Sequence, residues 1–396
     1  MKTIDTSSLF LFKAVFLILL IFNLFDLFLP KRIGNLGDEL CCILVLVLMF
    51  LRIVWKKGVP SQMTLFAPFF FILLLLGVCG NIFFPYMSRF DCIVRDVFLF
   101  FKPYIFMIFG LVFASQSRDA FLTFLQKVSK VMVCMISFMA VLNYLGELGL
   151  EKYGLFTFFS TSTSGCVAWW LILFVSLVFV KPGKSRFCYL VLAAVALIFI
   201  DSGLGNLSLA MVIPIYLFIE KRKKFNLKYF FLIVPIGLYL AGSEISSYLM
   251  NDRAPRYILH KFAFVTANEC FPFGSGFGTY GGNTAIDYYS VLYHKYGFNY
   301  LYGMSRENSS FLMDSYYPMV IAQFGYVGVV TFLFMIMRIL KKLLFTIEEK
   351  NLKVWLTFLF GVWLVAGLGF GTGSNWGCCV LFLVGALSGS RLYRGT

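Results

Sequence analysis

Apolar residues in this chain run in long unbroken blocks, separated by short polar turns. They do not form the narrow stripes of a soluble helix or the alternation of a half-buried strand. A helix needs about 20 apolar residues to cross the hydrocarbon of a bilayer. Twelve blocks approach that length, near residues 9–29, 38–55, 63–84, 97–115, 124–145, 165–180, 187–200, 203–219, 229–243, 317–338, 354–370 and 374–390. The short pair around Asp201-Ser-Gly-Leu-Gly-Asn206 reads as two spans with a tight turn or as one re-entrant element. The pattern predicts an all-α polytopic membrane protein of about twelve transmembrane helices, forming a single domain over residues 1–396. It fails at length only once, between Gly242 and Tyr316. This large loop holds both histidines, His260 and His294, and six of the 19 acidic residues: Glu244, Asp252, Glu269, Asp287, Glu307 and Asp314. Asn251 or Asp252 can cap a helix there, and Pro255 suits its first turn. Carried to Asn268, that helix places Arg256 and His260 on one face, with Arg253 three residues before Arg256.

Composition agrees with the pattern. The chain is 60% hydrophobic and 13% charged, with 49 Phe, whereas soluble domains carry about 25% charged residues. The net charge of +15 would suit nucleic acid if it formed one patch. Instead the basic residues sit in alternate short loops: Arg52, Lys56 and Lys57; Arg118, Lys127 and Lys130; Lys181, Lys184 and Arg186; Lys221 to Lys224; Arg338, Lys341 and Lys342. That bias sets membrane orientation and leaves no nucleic-acid partner to expect. It places both termini in the cytoplasm and the loop 242–316 outside. The run from Leu9 to Leu29 reads as a span and not as a cleaved signal, because no small-residue cleavage site follows it. The ten cysteines show no CxxC or Cys/His metal spacing and read mostly as small apolar residues.

The chemistry-bearing residues gather outside. Arginine holds phosphate oxygens in a planar fork, so Arg256 and Arg253 beside a glycine turn would suit a lipid diphosphate. As a bland alternative they are headgroup anchors. Gly276-Phe-Gly-Thr-Tyr-Gly281 matches GxGxxG literally, but it lacks the strand, helix and acidic residue of a dinucleotide site. What remains is that Gly274, Gly276 and Gly278 permit sharp turns and close backbone approach. Arg95, Asp96 and Lys102 form a second polar group at the outer end of a span, where charges are usually paired or functional. The Arg95–Asp96 neighbours read equally well as a structural pair. His294, Glu307 and Asp314 are candidate bases or orienters, and Asp314 is equally a natural cap for the next span. Tyr280, Tyr288, Tyr289, Tyr293, Tyr296, Tyr300 and Tyr302 make either an interfacial belt or a surface for sugar rings. Without DxD, Walker A or HExxH, no metal and no nucleotide cofactor is expected.

These residues resemble the O-antigen and capsular polysaccharide polymerases of the Wzy type. The resemblance lies in the span–loop layout and in two blocks. One is Pro255-Arg256-Tyr-Ile-Leu259 followed by Phe271-Pro-Phe-Gly-Ser-Gly-Phe-Gly-Thr-Tyr280 and Tyr289-Ser-Val-Leu-Tyr293. The other is Asp314-Ser-Tyr-Tyr-Pro-Met-Val-Ile-Ala-Gln-Phe-Gly325-Tyr-Val-Gly328. The Arg95-Asp96 opening of the fourth span also looks familial. Where relatives often carry a Ser-Arg or Ser-Lys pair, this chain has Asp201-Ser-Gly. Related O-antigen ligases usually show a His-Asn pair, whereas His294 precedes Lys295. The resemblance implies a GT-C-like glycosyltransferase of the bacterial cytoplasmic membrane. It would join undecaprenyl-diphosphate-linked repeat units, beside a flippase and a chain-length regulator. It makes Arg256 the charge stabiliser, aided by Arg253 and by Arg95 or Lys102, and His294 or Asp314 the base. Gly274, Gly276, Gly278, Tyr280, Tyr289 and Tyr293 would line the substrate. An O-antigen ligase, a lipid-linked oligosaccharide flippase and a membrane scaffold stay open as alternatives.

Overall fold

The computed structural model describes residues 6–25, 37–56, 58–113, 118–144 and most of 251–388, with short pieces at 172–173, 187–192 and 195. The spans predicted near 165–180, 187–200, 203–219 and 229–243 lie wholly or mostly outside the described residues. So do the start of the loop to Met250, and Arg253 and Asp314.

Every regular element among the described residues is helical. In chain order the bundle helices are α1 (Thr6–Phe25), α2 (Gly37–Lys56), α3 (Ser61–Phe83), α4 (Phe90–Phe113) and α5 (Arg118–Tyr144). The segment 254–316 forms α6 (Pro255–Glu269), α7 (Asn283–Asp287), α8 (Val291–Lys295) and a 3-10 turn (Phe298–Tyr300). The chain returns to the bundle in α9 (Tyr317–Thr346), α10 (Lys350–Ala366) and α11 (Asn375–Ser388). Three stretches, Met63–Phe83, Phe90–Phe113 and Tyr317–Thr346, are long and apolar enough to cross a membrane. α2 and α3 turn Leu44, Val47, Phe50, Phe71, Leu75 and Ile82 outward. An apolar exterior on that scale needs lipid to cover it, so the chain is an α-helical membrane protein.

Eight of the predicted spans coincide with these bundle helices, and the largest differences are at two ends. α4 begins at Phe90 rather than near residue 97. Of the two readings of Arg95 and Asp96, a functional group or a neighbour pair, the pair is not formed: both lie inside the helix, Arg95 bonds Asp287 and Asp96 bonds the Gly278 backbone. α9 runs on to Thr346, past Arg338, Lys341 and Lys342, because lysine and arginine are good helix formers.

α4 is the central helix. It meets α11 backbone to backbone, since a β-carbon on Gly110 would come within 2.6 Å of the Ala386 nitrogen and one on Gly385 would overlap the Met107 carbonyl. Small residues allow this approach, which gains dispersion contacts where lipid offers no hydrophobic driving force. Gly385→Leu should therefore destabilise the detergent-solubilised protein by about 1–3 kcal/mol, read as a lower Tm. Gly361, with nothing within 4 Å of an added β-carbon, is the control, and its alanine variant should melt like the parent. An unchanged Tm for Gly385→Leu would refute the α4–α11 contact.

α9 changes character at Gly325, whose backbone is non-helical (φ 60°, ψ −168°). Residues 318–325 are buried all round, while beyond them Tyr326, Val327, Val330, Leu333 and Phe334 face outward. From Tyr326 to Thr346 the helix is about 31 Å long at 1.5 Å per residue, close to the hydrocarbon thickness of about 30 Å. The break thus marks where α9 passes from a partly exposed helix to a head buried all round by the bundle and the 254–316 segment.

Candidate functional site

The cap is residues 254–316, which fold around their own apolar core. α6 starts with Pro255 at its first position, as the sequence suggests, but its N-cap is Ala254 and no side chain caps it. Its inward stripe is Leu259, Ala263, Thr266 and Ala267. The two alanines let it lie close along the head of α9, against Ile321 and Ala322. Tyr326 ties the pair together from α9, its hydroxyl donating to Asn268 Oδ1 at 2.6 Å.

After α6 the chain makes the glycine turn. Gly274, Gly276 and Gly278 all have positive φ (80°, 89° and 74°), the region where a β-carbon is strained. The turn is built into the bundle. Ser275 N donates to Ala322 O at 2.8 Å and Gly276 N to Gln323 O at 3.0 Å. Asn81 of α3 holds both sides of Phe277: the Phe277 N–H donates to Oδ1 at 2.9 Å, and Nδ2 donates to the Phe277 carbonyl at 3.0 Å. Gly278 N donates to Asp96 Oδ2 of α4 at 2.8 Å. The backbone N–H groups of 275–278 are therefore committed within the protein. Of the two uses of close backbone approach, to a ligand or to a helix, the structure has the turn lying against helices α3, α4 and α9. A β-carbon on Gly276 would come within 2.6 Å of Asn81 Cγ, and one on Gly274 within 2.6 Å of the Gln323 carbonyl. Gly278 alone of the three has room, its nearest neighbours lying at 3.6 Å.

The tyrosines divide sharply. Tyr280, Tyr289 and Tyr293 are buried, so the sugar-facing role expected of them does not fit. Tyr280 donates to Leu259 O at 2.8 Å, Tyr289 donates to Met304 O at 2.9 Å, and Tyr293 Oη accepts from Gly281 N at 2.8 Å. Burial raises the pKa of the Tyr280 and Tyr293 phenols above their ordinary value, so both stay neutral and serve the cap's internal bonding. Tyr300 and Tyr302 remain 87% and 83% exposed.

The expected cationic cluster is also redistributed. Arg95 pairs with Asp287 of α7 at 2.5 Å on the surface. Lys102 pairs with Asp38 of α2, both buried in the bundle, so its charge is already answered and it is a poor phosphate ligand. Arg256 is half-buried on the first turn of α6. His260 lies one turn on, its Nδ1 2.8 Å from the Arg256 carbonyl, and burial lowers its pKa, keeping the ring neutral near pH 7. His294 is exposed at the end of α8, its ring edge-on to Tyr289 at 4.9 Å.

Asp38, Asn81 and the kink at Gly325 were not singled out by sequence reasoning. An amide inside an apolar block is a signal that could have found Asn81. No family model, curated protein or solved structure gives a significant match to this chain.

Proposed function

We propose that the chain is a polysaccharide polymerase of the bacterial cytoplasmic membrane. It would transfer a growing glycan from undecaprenyl diphosphate to the sugar hydroxyl of an incoming lipid-linked repeat unit. The observation that carries this reading is that the arginine helix, the glycine turn and the 315–328 segment form one folded cap on the ends of α3, α4 and α9. Those are the segments on which the resemblance to the polymerases rests. In the reaction the anomeric carbon–phosphate oxygen bond breaks and the diphosphate leaves with the electron pair. The acceptor oxygen bonds to that carbon, and its proton passes to a base. A diphosphate is already a good leaving group, so stabilising its developing charge is the main task. Arg256 on α6 is assigned that role, with Arg253 as its partner. Arg95 could join only by exchanging Asp287 for phosphate. His294 or Asp314 is the base. Exposed Tyr300 and Tyr302 replace the buried tyrosines as the rings that could stack on sugar.

The test is the surface glycan of a deletion strain. Single transferred repeat units support the polymerase. Intact lipid-linked polymer that is never transferred would instead identify a ligase, and accumulation of lipid-linked units inside would identify a flippase. Orientation has its own test. A cysteine introduced within 254–316 should react with an impermeant thiol reagent from outside the cell, and one introduced within 220–228 should not. The reverse labelling would remove the cap from the side where the substrate is expected.

A further inference from the structure

Phe277 sits at the centre of the glycine turn, yet it belongs to the core of the bundle rather than to that of the cap. Its ring is fully buried, 5.1 Å from the Phe324 ring and 6.4 Å from that of Phe100. Gly77 makes the socket, because a β-carbon there would lie within 2.8 Å of the Phe277 ring. Two polar side chains from different spans hold the plug in place through its backbone. Asn81 bonds both the N–H and the carbonyl of Phe277, and Asp96, 2% exposed, takes the next N–H. We infer that Asn81 and Asp96 are a latch: they keep the outer cap seated on the bundle, and their loss opens this joint while the bundle stays folded.

The argument is one of unequal strength. The cap's core meets the bundle at the head of α9, through Ile321 and Ala322. Toward α3 and α4 it is joined by the aromatic plug, the Phe83–Phe273 stack, the Arg95–Asp287 pair and the latch hydrogen bonds. Local opening takes place where few buried contacts resist it, and each latch residue left alone is a polar group facing apolar surroundings. Both latch residues recognise backbone, so the joint specifies where the turn sits independently of the side chains the cap displays.

Native cysteines report the state of the joint. Cys270 starts the turn and Cys92 lies under it on α4, both fully buried; Cys378 and Cys379 are equally buried inside the bundle. The full chain is purified in detergent, pulsed with a maleimide at pH 8, and read cysteine by cysteine by mass spectrometry. In the Asn81→Ala/Asp96→Ala double variant, Cys270 and Cys92 should label at least about tenfold faster than in the parent, as thiols freed from burial recover thiolate character. Cys378 and Cys379 should not change. Asp96→Asn retains an acceptor oxygen and should label like the parent. Parental labelling of Cys270 and Cys92 in the double variant overturns the latch. So does a parallel rise at all four cysteines, which would mean that the two residues hold the whole bundle. Should the double variant fail to insert, Asn81→Ala alone decides by the same pattern, with a smaller rise.

Discussion

Arg256→Ala should abolish polymer while the protein is still made, inserted and folded. Arg256 is half-buried on the first turn of α6 and continues the face of Leu259, Ala263 and Ala267 at its N-terminal end, so a thermal melt of the variant in detergent accompanies the glycan profile and separates lost packing from lost chemistry. If its guanidinium meets the departing diphosphate, the loss is one of transition-state stabilisation. Removing a single preorganised donor of this kind typically costs about 10²–10³ in rate. That is enough to reduce a processive glycan ladder to single units on a gel. Arg256→Lys retains the charge but loses the two-pronged geometry and should give short, sparse chains. The measurement is the surface glycan profile beside a membrane blot for protein level. A normal ladder from Arg256→Ala would take this residue out of the reaction and with it the main support for the diphosphate reading.

The second large effect separates two glycines that look alike in the sequence. Gly276→Ala places a methyl group against the Asn81 backbone and amide, where neither side can retreat without breaking the bonds that hold Phe277. It also strains a residue with φ of 89°. Together these should destabilise the seated cap by several kcal/mol, as overpacking costs about 1–3 and the left-handed backbone about 1–2. Gly278→Ala meets only ordinary contacts at 3.6 Å and should bear the backbone strain alone. Thermal denaturation in detergent should rank the parent above Gly278→Ala and both well above Gly276→Ala. Equal melting of the two variants would show that the turn is not packed against α3.

The membrane class and the helical blocks were legible because a bilayer imposes a composition that a sequence displays openly, and three of the described helices are long and apolar enough to cross it. α1 to α5 and α9 to α11 lie where the apolar blocks put them, and Pro255 started α6 as expected. The cap was legible only as an interruption. Tyr280, Tyr289 and Tyr293 looked like a binding surface because tyrosine is amphipathic and composition does not say which way a ring points; their carbonyl and N–H partners are found only in the fold. Lys102 looked like a phosphate ligand because its counter-charge, Asp38, is 64 residues away. Asp96 could be read as a partner of its neighbour Arg95, but successive helical residues point in different directions, and its partner, the Gly278 backbone, lies 182 residues away. The glycines were recognised as sites of close approach, and what approaches them is helices α3, α4 and α9.

The clamp on Phe277 joins residues 196 positions apart, and this sets an order for biogenesis. A ribosome adding about 5–20 residues per second reaches Phe277 roughly 10–40 s after Asn81. Throughout that interval the N-terminal helices are already synthesised while the socket beside Gly77 awaits its occupant. Seating of the cap is thus a late event, and α3 and α4 must wait as an unfinished half until the segment that fills their socket has been made.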